Sequence, residues 1–394
     1  MPLDLAALGP QLTRFATHAR ERAPREASRL ASALDILRRN AGRHLDLADL
    51  AEGRQTPFRA ARPLERLDAR HPRSACPENY TVVATDGSQI EPDRHGPVLC
   101  HLINVGSALI RYGQGSRAQL ASEPMLRFAP GEVSLARRGR EPVLIQDRLL
   151  GLMRHVEETG RLADLAVGVE RDRPAVGLLD GSLLLSSWGR GGETQVLEEV
   201  VEQFLARLDR LKAAGVPVAS YISRPRSSDV VNTLRLAACP YEAAECESCR
   251  GDGDAETCYD LIGLPDRLVF EALPLDEGER SARFESSWST SAKQYREHQI
   301  QFFYLNVGSE IARVEVPEWV ARDPASLDLV QTVIVDQCRR GQGYPRVLIE
   351  SHEKAVISAG DRRLFATLIE QALASAGVRA ASSEKEASKR LRGL

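Results

Sequence analysis

The sequence has no apolar run of the roughly 18–20 residues that a membrane-spanning helix requires, so we expect no membrane partner. Its formal net charge is only −3, which argues against a global basic field for nucleic acid, although arginines are locally clustered. The N-terminal residues lack the basic and then apolar layout of a secretory signal, and we therefore expect a cytoplasmic protein. No glycine-rich loop that could cradle a nucleotide is present, which argues against a phosphatase acting on small phosphoesters.

One tripeptide occurs twice, and each copy ends an apolar segment of the kind that forms a strand. Asp86-Gly-Ser follows Tyr80–Thr85, and Asp180-Gly-Ser follows Ala175–Leu179. A buried strand followed by Asp-Gly holds a carboxylate at the edge of a sheet, because the glycine lets the backbone turn there. A single Asp-Gly is an ordinary turn signal, but two such acids brought together by the fold make a site for a hard divalent cation.

Strand-like and helix-like segments alternate along the chain after a helical start. Residues 1–70 are rich in Ala, Leu and Arg with helical spacing, and they predict a helical N-terminal arm. The later segments predict, in order, strands over Tyr80–Thr85 and Val98–Tyr112 and a third ending near Phe128, a helix over Glu141–Leu165, a strand over Ala175–Leu179, a helix over Thr194–Ala214, a strand over Pro217–Ser223, a helix near Asp266–Ala272, strands over Gln301–Val307 and Ile311–Val316, a helix over Asp323–Cys338, and a strand–helix unit from Tyr344.

This order predicts an α/β fold with a ribonuclease H-like mixed sheet flanked by helices. Three antiparallel strands followed by alternating helix and strand are the order of that core. The fold commonly places acidic residues on its first strand, on a helix and on its fourth strand around metal ions. We therefore predict a helical arm over residues 1–70, a main domain over 75–380 with a cysteine-rich insert at 239–258, and a charged tail over 381–394.

The segments around the two aspartates offer further groups for a metal site. The helix between Asp86 and Asp180 carries Glu157 and Glu158, either of which could be a third carboxylate, although such a pair is more usually part of a solvated helix face. His352 follows another apolar run and could ligate a metal or transfer protons. Two divalent ions about 4 Å apart can activate water and stabilise the oxygens of a phosphodiester. Carboxylates suit Mg²⁺ and Mn²⁺, and an added imidazole shifts the preference towards Mn²⁺.

Two arginine-containing segments are candidates for binding DNA. Arg224 and Arg226 lie in a loop after the strand that carries Tyr221, and their guanidinium groups could bind phosphate. An ordinary exposed basic loop explains these two residues as well. The segment around Arg280 is dense in charge and could bind the DNA backbone or a partner, while a salt-bridged surface loop explains it equally well.

Several short motifs occur in a fixed order between about residues 80 and 370. They are Thr85-Asp-Gly-Ser88, Leu179-Asp-Gly-Ser-Leu183, Ser220-Tyr-Ile-Ser-Arg-Pro-Arg226, Phe303-Tyr-Leu-Asn306, Ala312-Arg-Val-Glu-Val-Pro317 and Gly343-Tyr-Pro-Arg-Val-Leu-Ile-Glu-Ser-His352. Each motif alone is modest, but the ordered set resembles the NurA nuclease family.

The resemblance implies a ribonuclease H-like homodimer with Mn²⁺-dependent 5′–3′ exonuclease and single-strand endonuclease activity on DNA. It also implies a partner, the hexameric HerA translocase, in DNA end resection and repair. By the same resemblance, Asp86 and Asp180 match the family's two aspartates and His352 matches its C-terminal histidine. The family's helical glutamate falls on Glu157 by its spacing from Arg154, and its tyrosine falls on Tyr221. All five residues are therefore expected to be catalytic, with Asp86, Asp180 and His352 as Mn²⁺ ligands.

Four of the seven cysteines lie within 20 residues of one another. They form the pattern Cys239-x6-Cys246-x2-Cys249-x8-Cys258. In a cytoplasmic chain such a group argues against disulfides. A C-x2-C pair with two flanking cysteines can hold a zinc ion in a tetrahedral site or an iron–sulfur cluster. Reduced cysteines in a loop are the alternative, but four thiols so close together favour a metal. We expect such a metal to pin the loop and not to take part in hydrolysis.

The sequence supports two main functional hypotheses. The first is a metal-dependent DNA nuclease that works with a DNA translocase. The second is a non-catalytic docking partner of a translocase, in which the cysteine insert binds metal structurally. The presence of Asp86, Asp180 and His352 favours the nuclease.

Overall fold

The computed structural model describes residues 5–53, 56–93, 96, 98–137, 140–185, 194–241, 246, 249, 256–287 and 295–378. The chain divides into two compact units. Unit 1 comprises Met1–Arg73, Ile222–Ala292 and Gln299–Val314, and unit 2 comprises Ser74–Tyr221, Lys293–His298 and Glu315–Leu394.

Helices occur in both units, after a 3-10 turn at Ala6–Leu8. They are α1 Gly9–Asn40, α2 His44–Gly53, α3 Pro130–Val133, α4 Asp147–Val167, α5 Thr194–Ala213, α6 Asp229–Ala238, α7 Glu256–Asp260, α8 Asp266–Ala272, α9 Glu318–Ala321, α10 Pro324–Arg340, α11 Arg346–Ala355 and α12 Ala359–Ser375. In the described part of the chain no helix is both long enough and apolar enough to span a bilayer.

Strands also occur in both units, and the chain passes from unit 1 to unit 2 within the last of them. They are β1 Arg62–Pro63, β2 Arg70–His71, β3 Tyr80–Ile90, β4 His101–Tyr112, β5 Arg117–Arg127, β6 Ser134–Arg137, β7 Arg140–Leu144, β8 Ala175–Asp180, β9 Val218–Ile222, β10 Arg280–Ser281, β11 Phe284–Glu285, β12 Ile300–Asn306 and β13 Ile311–Pro317.

Unit 2 contains a mixed sheet in which the strands follow the order β5-β4-β3-β8-β9. Strands β3, β4 and β5 form an antiparallel meander. Strand β8 then pairs in parallel with β3, and β9 pairs in parallel with β8. This is the strand order of a ribonuclease H-like core, and it confirms the predicted fold class. Strands β8 and β9 are apolar and almost wholly buried, as expected of strands that are covered on both faces.

Helices α4 and α11 pack on opposite faces of this sheet, as the alternation along β4 shows. Ile103 and Val105 point to one face and pack in a buried cluster with Leu150 of α4. Gly106 points to the other face, where a Cβ atom would lie 2.2 Å from the carbonyl oxygen of Ser351 in α11. Glycine at this position therefore lets α11 lie directly on the sheet, close to the ends of β3 and β8.

Unit 1 is built around β12, which pairs antiparallel with β10 and with β11. The C-terminal third of α1 contributes Ala33, Ile36 and Leu37 to its hydrophobic core, where they join residues of α6 and α8. The predicted arm is helical as expected, and this part of it packs within unit 1. Leu12 and Phe15, nearer the start of α1, remain 60% and 71% exposed.

Two local predictions were wrong, and both concern short apolar runs. Residues Arg140–Leu144 form a strand that pairs with β6, so the predicted helix begins only at Asp147. The run that follows Tyr344 forms α11 and not a strand, because Pro345 starts the helix and Val347, Leu348, Ser351 and Ala355 share one buried face. A short apolar run does not by itself distinguish a strand from a buried helix.

The predicted domain boundaries differ from the two units of the structure. Residues 1–73 share unit 1 with 222–292 and 299–314, and the predicted main domain over 75–380 contains parts of both units. The charged tail predicted over 381–394 lies outside the described residues.

Candidate active site

The two Asp-Gly-Ser motifs lie on the neighbouring parallel strands β3 and β8 of unit 2. Asp180 ends β8, whereas β3 continues past Asp86 to Ile90 in its pairing with β4, so the predicted end of the first strand at Thr85 is wrong. The parallel register of β3 and β8 ends with Thr85 opposite Leu179, one residue before each aspartate. Neighbouring strands lie about 4.8 Å apart, so Asp86 and Asp180 are adjacent where this pairing ends. The two copies of the tripeptide thus place a pair of carboxylates side by side on neighbouring central strands.

The Asp86 carboxylate is held by the backbone and by α11. Its Oδ1 accepts a hydrogen bond from the Gly87 N–H at 2.7 Å. Its Oδ2 lies 2.6 Å from Nδ1 of His352. A carboxylate that accepts from Nδ1–H orients the imidazole and leaves Nε2 with its lone pair, which is the usual arrangement around a metal-ligating or proton-transferring histidine. The imidazole is 66% exposed, so solvent and substrate can reach it.

Asp180 lies next to Asp86, His352 and Tyr344. Its surroundings raise the pKa of the Asp180 carboxyl, mainly through desolvation and also through the negative charge of Asp86. A hydrogen bond from the Tyr344 side chain and the nearby His352 imidazole oppose this rise in pKa. The carboxylates of Asp86 and Asp180 therefore repel one another, which a shared cation would relieve.

Tyr344 also connects the site to the interior of unit 2. Its ring meets the ring of Tyr221 edge to face, with 5.3 Å between centroids and an interplanar angle of 89°. Tyr221 is fully buried and is the register partner of Asp180 on β9. The buried Tyr221 ring therefore packs against the Tyr344 ring and helps to position it. The catalytic role predicted for Tyr221 stays a prediction. Tyr344 was not singled out from the sequence, although it lies in one of the quoted motifs.

Glu158 of α4 is buried beside the first motif, with its side chain only 6% exposed. A Cβ atom on Gly87 would lie 2.4 Å from Glu158 Oε1, so the carboxylate packs directly against that glycine. Its Oε2 lies 3.1 Å from His155 Nδ1, and its Oε1 lies 3.2 Å from Arg154 Nε. Within the described part of the chain Oε1 accepts no aligned hydrogen bond. This buried carboxylate oxygen therefore has a lone pair that could bind a metal ion.

Glu157, the other candidate for the third carboxylate, makes a different contact from that of Glu158. Its Oε1 accepts a hydrogen bond from Arg127 of β5 at 2.9 Å. The structure therefore places Glu158, and not the predicted Glu157, against the glycine that follows Asp86. Adjacent helical residues are about 100° apart, so only one of the two can face this position.

The second motif is held in place by a residue that sequence reasoning missed. Glu315 of β13 is buried, and its Oε2 accepts hydrogen bonds from Ser182 Oγ at 2.8 Å and from the Leu183 N–H at 2.9 Å. The serine of the first motif has a different partner, since Ser88 Oγ donates to the carbonyl of Ala355 at the end of α11. A lone glutamate inside the apolar strand Ile311–Pro317 was the available sequence signal for Glu315.

The predicted phosphate-binding residues Arg224 and Arg226 belong to unit 1 and are both exposed. Arg224 has a positive φ of 43°, and its backbone N–H donates to Glu310 Oε2 at 3.0 Å. Ser223 Oγ donates to the same oxygen at 2.9 Å, so Glu310 fixes the loop. Their binding to DNA phosphate stays a prediction.

Arg280, the third predicted DNA-binding residue, is buried in unit 1 with 7% exposure. Its Nη1 lies 3.1 Å from Glu65 Oε2 and donates to the Ser281 carbonyl at 2.9 Å. The guanidinium group of Arg280 is therefore engaged in contacts inside unit 1 and is not exposed on its surface. This corrects the prediction, because dense charge in the sequence reflected a buried ion pair.

Another group in unit 2, outside the predicted site, has metal-ligand chemistry. Asp209, Glu297 and His298 offer ligand atoms within 4.8 Å of one another. His298 is buried, its Nε2 lies 2.7 Å from Asp209, and its Nδ1 accepts a hydrogen bond from the Trp319 indole at 3.2 Å. The contacts with Asp209 and Trp319 thus occupy both ring nitrogens of His298, and Glu297 pairs with Lys212.

The strand order defines a ribonuclease H-like fold, with two acidic residues adjacent on its central strands. A family model described as the NurA domain matches residues 80–357, and the chain belongs to the NurA family, which is a family of nucleases.

Comparison with solved structures finds a similarity to one titled "Crystal structure of LC9-RNase H1, a type 1 RNase H with the type 2 active-site motif". The identity is 12%, the match covers 40% of this chain and 69% of that chain, and the TM-score is 0.19. The fold class stated above follows from the strand order. No curated protein matches the chain in sequence.

Proposed function

We propose that the chain is a divalent-metal-dependent deoxyribonuclease with 5′–3′ exonuclease and single-strand endonuclease activity. The observation that carries this proposal is the contact of Asp86 with His352, together with Asp180 on the neighbouring strand, while the buried carboxylate of Glu158 packs against Gly87 from the face of the sheet that α4 covers. Family membership supports DNA as the substrate.

The residues at this edge fit a hard or borderline divalent ion. Asp86, Asp180 and Glu158 offer carboxylate oxygens, and His352 offers one imidazole nitrogen. The repulsion between the two aspartates is a feature that a cation would relieve, and Oε1 of Glu158, although it is ion-paired with Arg154 at 3.2 Å, accepts no aligned hydrogen bond in the described part of the chain. A bound divalent ion supplies stabilisation of charge on the phosphate oxygens and activation of water.

The chain's own groups orient this site. Asp86 holds the His352 imidazole through Nδ1. The other ring nitrogen, Nε2, is then available to bind a metal ion or to exchange a proton with the reacting groups. Tyr344 holds Asp180, and Glu315 holds the loop that follows Asp180. These contacts keep the carboxylates in one geometry before substrate binds, which lowers the cost of reaching the transition state.

A direct test is digestion of linear DNA by purified protein with Mn²⁺, with Mg²⁺ or with EDTA. Substrates labelled at the 5′ or at the 3′ end report the polarity, and circular single-stranded DNA reports endonuclease cleavage. We expect metal-dependent loss of the 5′ label and cleavage of the circle. A protein that binds DNA and cuts none of these substrates with any of the metals would instead be the non-catalytic docking partner.

We predict that Mn²⁺ supports faster cleavage than Mg²⁺ and that Ca²⁺ supports little, because an imidazole ligand suits manganese better than the strongly hydrated magnesium ion. Replacing His352 by Ala should reduce the Mn²⁺ rate by about 10- to 100-fold and bring the Mn²⁺ and Mg²⁺ rates closer together. Initial rates over a titration of each metal measure both effects. His18→Ala, an exposed histidine of α1, is the matched control and should behave as wild type. Equal wild-type rates in the two metals, with no effect of His352→Ala, would contradict this role.

We further propose that the chain acts as a homodimer together with a hexameric ATPase of the HerA type, in DNA end resection and repair. Resection of a duplex end calls for two active sites, since a single site of this kind cuts one strand at a time. The exposed Leu12 and Phe15 of α1 offer apolar surface for contact with a second copy, while the end of that helix is occupied by the core of unit 1.

We predict that light scattering finds a dimer of the full chain at micromolar concentration. The double variant Leu12→Asp/Phe15→Asp should shift the equilibrium to monomer, because it places charge in the proposed interface while leaving the buried residues of α1 unchanged. Gln11→Asp/Arg14→Asp, on the same exposed stretch of α1, is the control for added charge. A monomeric wild type that forms no complex with the cognate ATPase would favour a nuclease that works alone.

A further inference from the structure

A cavity of about 490 Å³ lies in unit 1 between helix α1 and the segment that contains α7. Arg22, Arg25 and Arg29 of α1 and Tyr259 of α7 are among the residues that border it. All of the residues that border the cavity belong to unit 1, whereas the acidic residues of the candidate active site belong to unit 2. The cavity is therefore a feature separate from that site.

The three arginines lie on one face of α1. Residues spaced three and four positions apart share a helix face, and Arg22, Arg25 and Arg29 follow this spacing. The seven residues from the first to the last of them correspond to a rise of about 10 Å along the helix, over which one strand of a nucleic acid carries about three phosphates. The row of cations therefore matches the spacing of a phosphate backbone.

Two of these arginines take part in weak ion pairs on the surface of the cavity. Arg25 Nη2 lies 3.3 Å from Asp260 Oδ1, and Arg22 Nη2 lies 3.6 Å from Glu26 Oε1. Exposed pairs of this kind are screened by salt and contribute little to stability. Phosphate oxygens can therefore compete for both guanidinium groups, which bind phosphate through paired N–H donors.

Arg29 fixes one wall of the cavity and adds a further positive charge. Its Nε and Nη2 donate to the carbonyl oxygens of Asp260 and Ile262, which joins α1 to the end of α7. Leu261 and Leu264 of the same segment are buried in the core of unit 1. In the part of the chain that the structure describes, Arg29 forms no ion pair with a carboxylate, so its charge adds to the positive potential of the cavity.

Tyr259 offers an aromatic surface beside the arginines. The residue is 50% exposed, although the segment that follows it is anchored in the core of unit 1. An exposed aromatic ring beside a row of cations is typical of sites for single-stranded nucleic acid, because a base stacks on the ring while the cations bind the backbone. The volume of the cavity is in the range of pockets that hold small molecules, which suits a nucleotide and is too small for a duplex.

We propose that this cavity binds a segment of single-stranded nucleic acid, with a base stacked on Tyr259 and the neighbouring phosphates bound by Arg22 and Arg25. Ion pairing alone would account for the two arginines, but it accounts neither for the exposed ring nor for the concave shape. The choice of DNA as the nucleic acid rests on the proposed function. The subsite adds affinity for the single strand and takes no part in hydrolysis, since none of its residues belongs to the acidic site.

The first test is the fluorescence anisotropy of a labelled oligothymidine of about 12 nucleotides, titrated with the full-length protein in EDTA. We expect Arg22→Ala/Arg25→Ala to weaken binding by about 10-fold at low salt. The slope of log K against log salt should become shallower by about 1.4, because two phosphate contacts are lost. Arg39→Ala, at an exposed and ion-paired arginine of the same helix, is the matched control and should bind as wild type.

The second test separates stacking from charge. Tyr259→Ala should weaken binding by about 10-fold without changing the salt slope, whereas Tyr259→Phe should bind as wild type because it keeps the ring. An oligonucleotide that contains 5-iododeoxyuridine should crosslink to Tyr259 on irradiation, and mass spectrometry of the peptides locates the adduct. This last measurement uses the wild-type protein, so it does not depend on whether a variant folds.

Wild-type affinity and salt slope in the arginine double variant, or wild-type affinity in Tyr259→Ala, would overturn the proposal. A duplex bound as tightly as the single strand, or equal competition by a free mononucleotide, would also overturn it. EDTA prevents hydrolysis, so binding is measured whether or not the protein proves to be a nuclease. The predicted binding by a protein that cuts no DNA would support the subsite and contradict only the proposed function.

Discussion

Asp86→Asn is expected to leave a folded protein whose nuclease rate falls by more than about 100-fold, and Asp180→Asn is expected to do the same. Asparagine keeps the size of the side chain and one acceptor oxygen, so the Gly87 N–H can still be satisfied. The change removes one of two adjacent negative charges that a shared cation requires. It also removes the carboxylate oxygen that holds His352.

The measurement is the initial rate of digestion of end-labelled linear DNA at saturating Mn²⁺, with circular dichroism and thermal unfolding to confirm the fold. Asp164→Asn is the matched control, because Asp164 is an exposed residue of α4 that pairs with Arg210 at 2.6 Å. An exposed pair of this kind contributes at most about 1 kcal/mol to stability, and the control should cleave at the wild-type rate. Wild-type digestion by Asp86→Asn or by Asp180→Asn would remove that aspartate from the site.

Glu158→Gln is expected to lower the rate by about 100-fold, whereas Glu157→Gln should change it by less than about twofold. The reason is placement, since Glu158 packs against the glycine after Asp86 while Glu157 pairs with Arg127 on β5. Both substitutions keep size and remove one charge from the same turn of α4, so each variant is the control for the other.

The assay is the one used for Asp86, with the concentration of Mn²⁺ at half-maximal rate as a second readout. Loss of a ligand should raise this concentration in Glu158→Gln, while a merely structural role would lower Tm without moving it. The opposite ranking of the two variants would assign the third carboxylate to Glu157.

The fold could be predicted from the sequence where local signals were strong. Long alternating or apolar runs located β3, β4, β8, β12 and β13 within a few residues, because burial of one or both faces dictates their composition. The predicted order of these elements was enough to identify the ribonuclease H-like core. It also placed both aspartates at strand ends, which is correct for Asp180 and wrong for Asp86, since β3 continues to Ile90; the register of β3 and β8 makes the two residues adjacent.

The site was harder to predict where a side chain's role depends on distant partners. The choice between Glu157 and Glu158 depends on where α4 sits on the sheet, and nothing in the local sequence separates two adjacent glutamates. Arg280 looked like a surface charge because its partner Glu65 is distant in sequence. The sequence analysis expected His352 at the end of a strand. In the structure His352 lies on helix α11, which packs on one face of the sheet, and its imidazole contacts Asp86 from that face.

The sequence by itself determined the class of fold and named the two aspartates and the histidine as candidates, because an apolar run followed by a polar residue is a property of neighbouring residues. Only the tertiary structure decided which glutamate packs against Gly87 and which groups hold the two motifs. Those contacts join Glu158 to Gly87 and Glu315 to Ser182 across long stretches of chain. The physical reason is that hydrogen bonds and packing act over a few ångströms in space, while the sequence records only proximity along the chain.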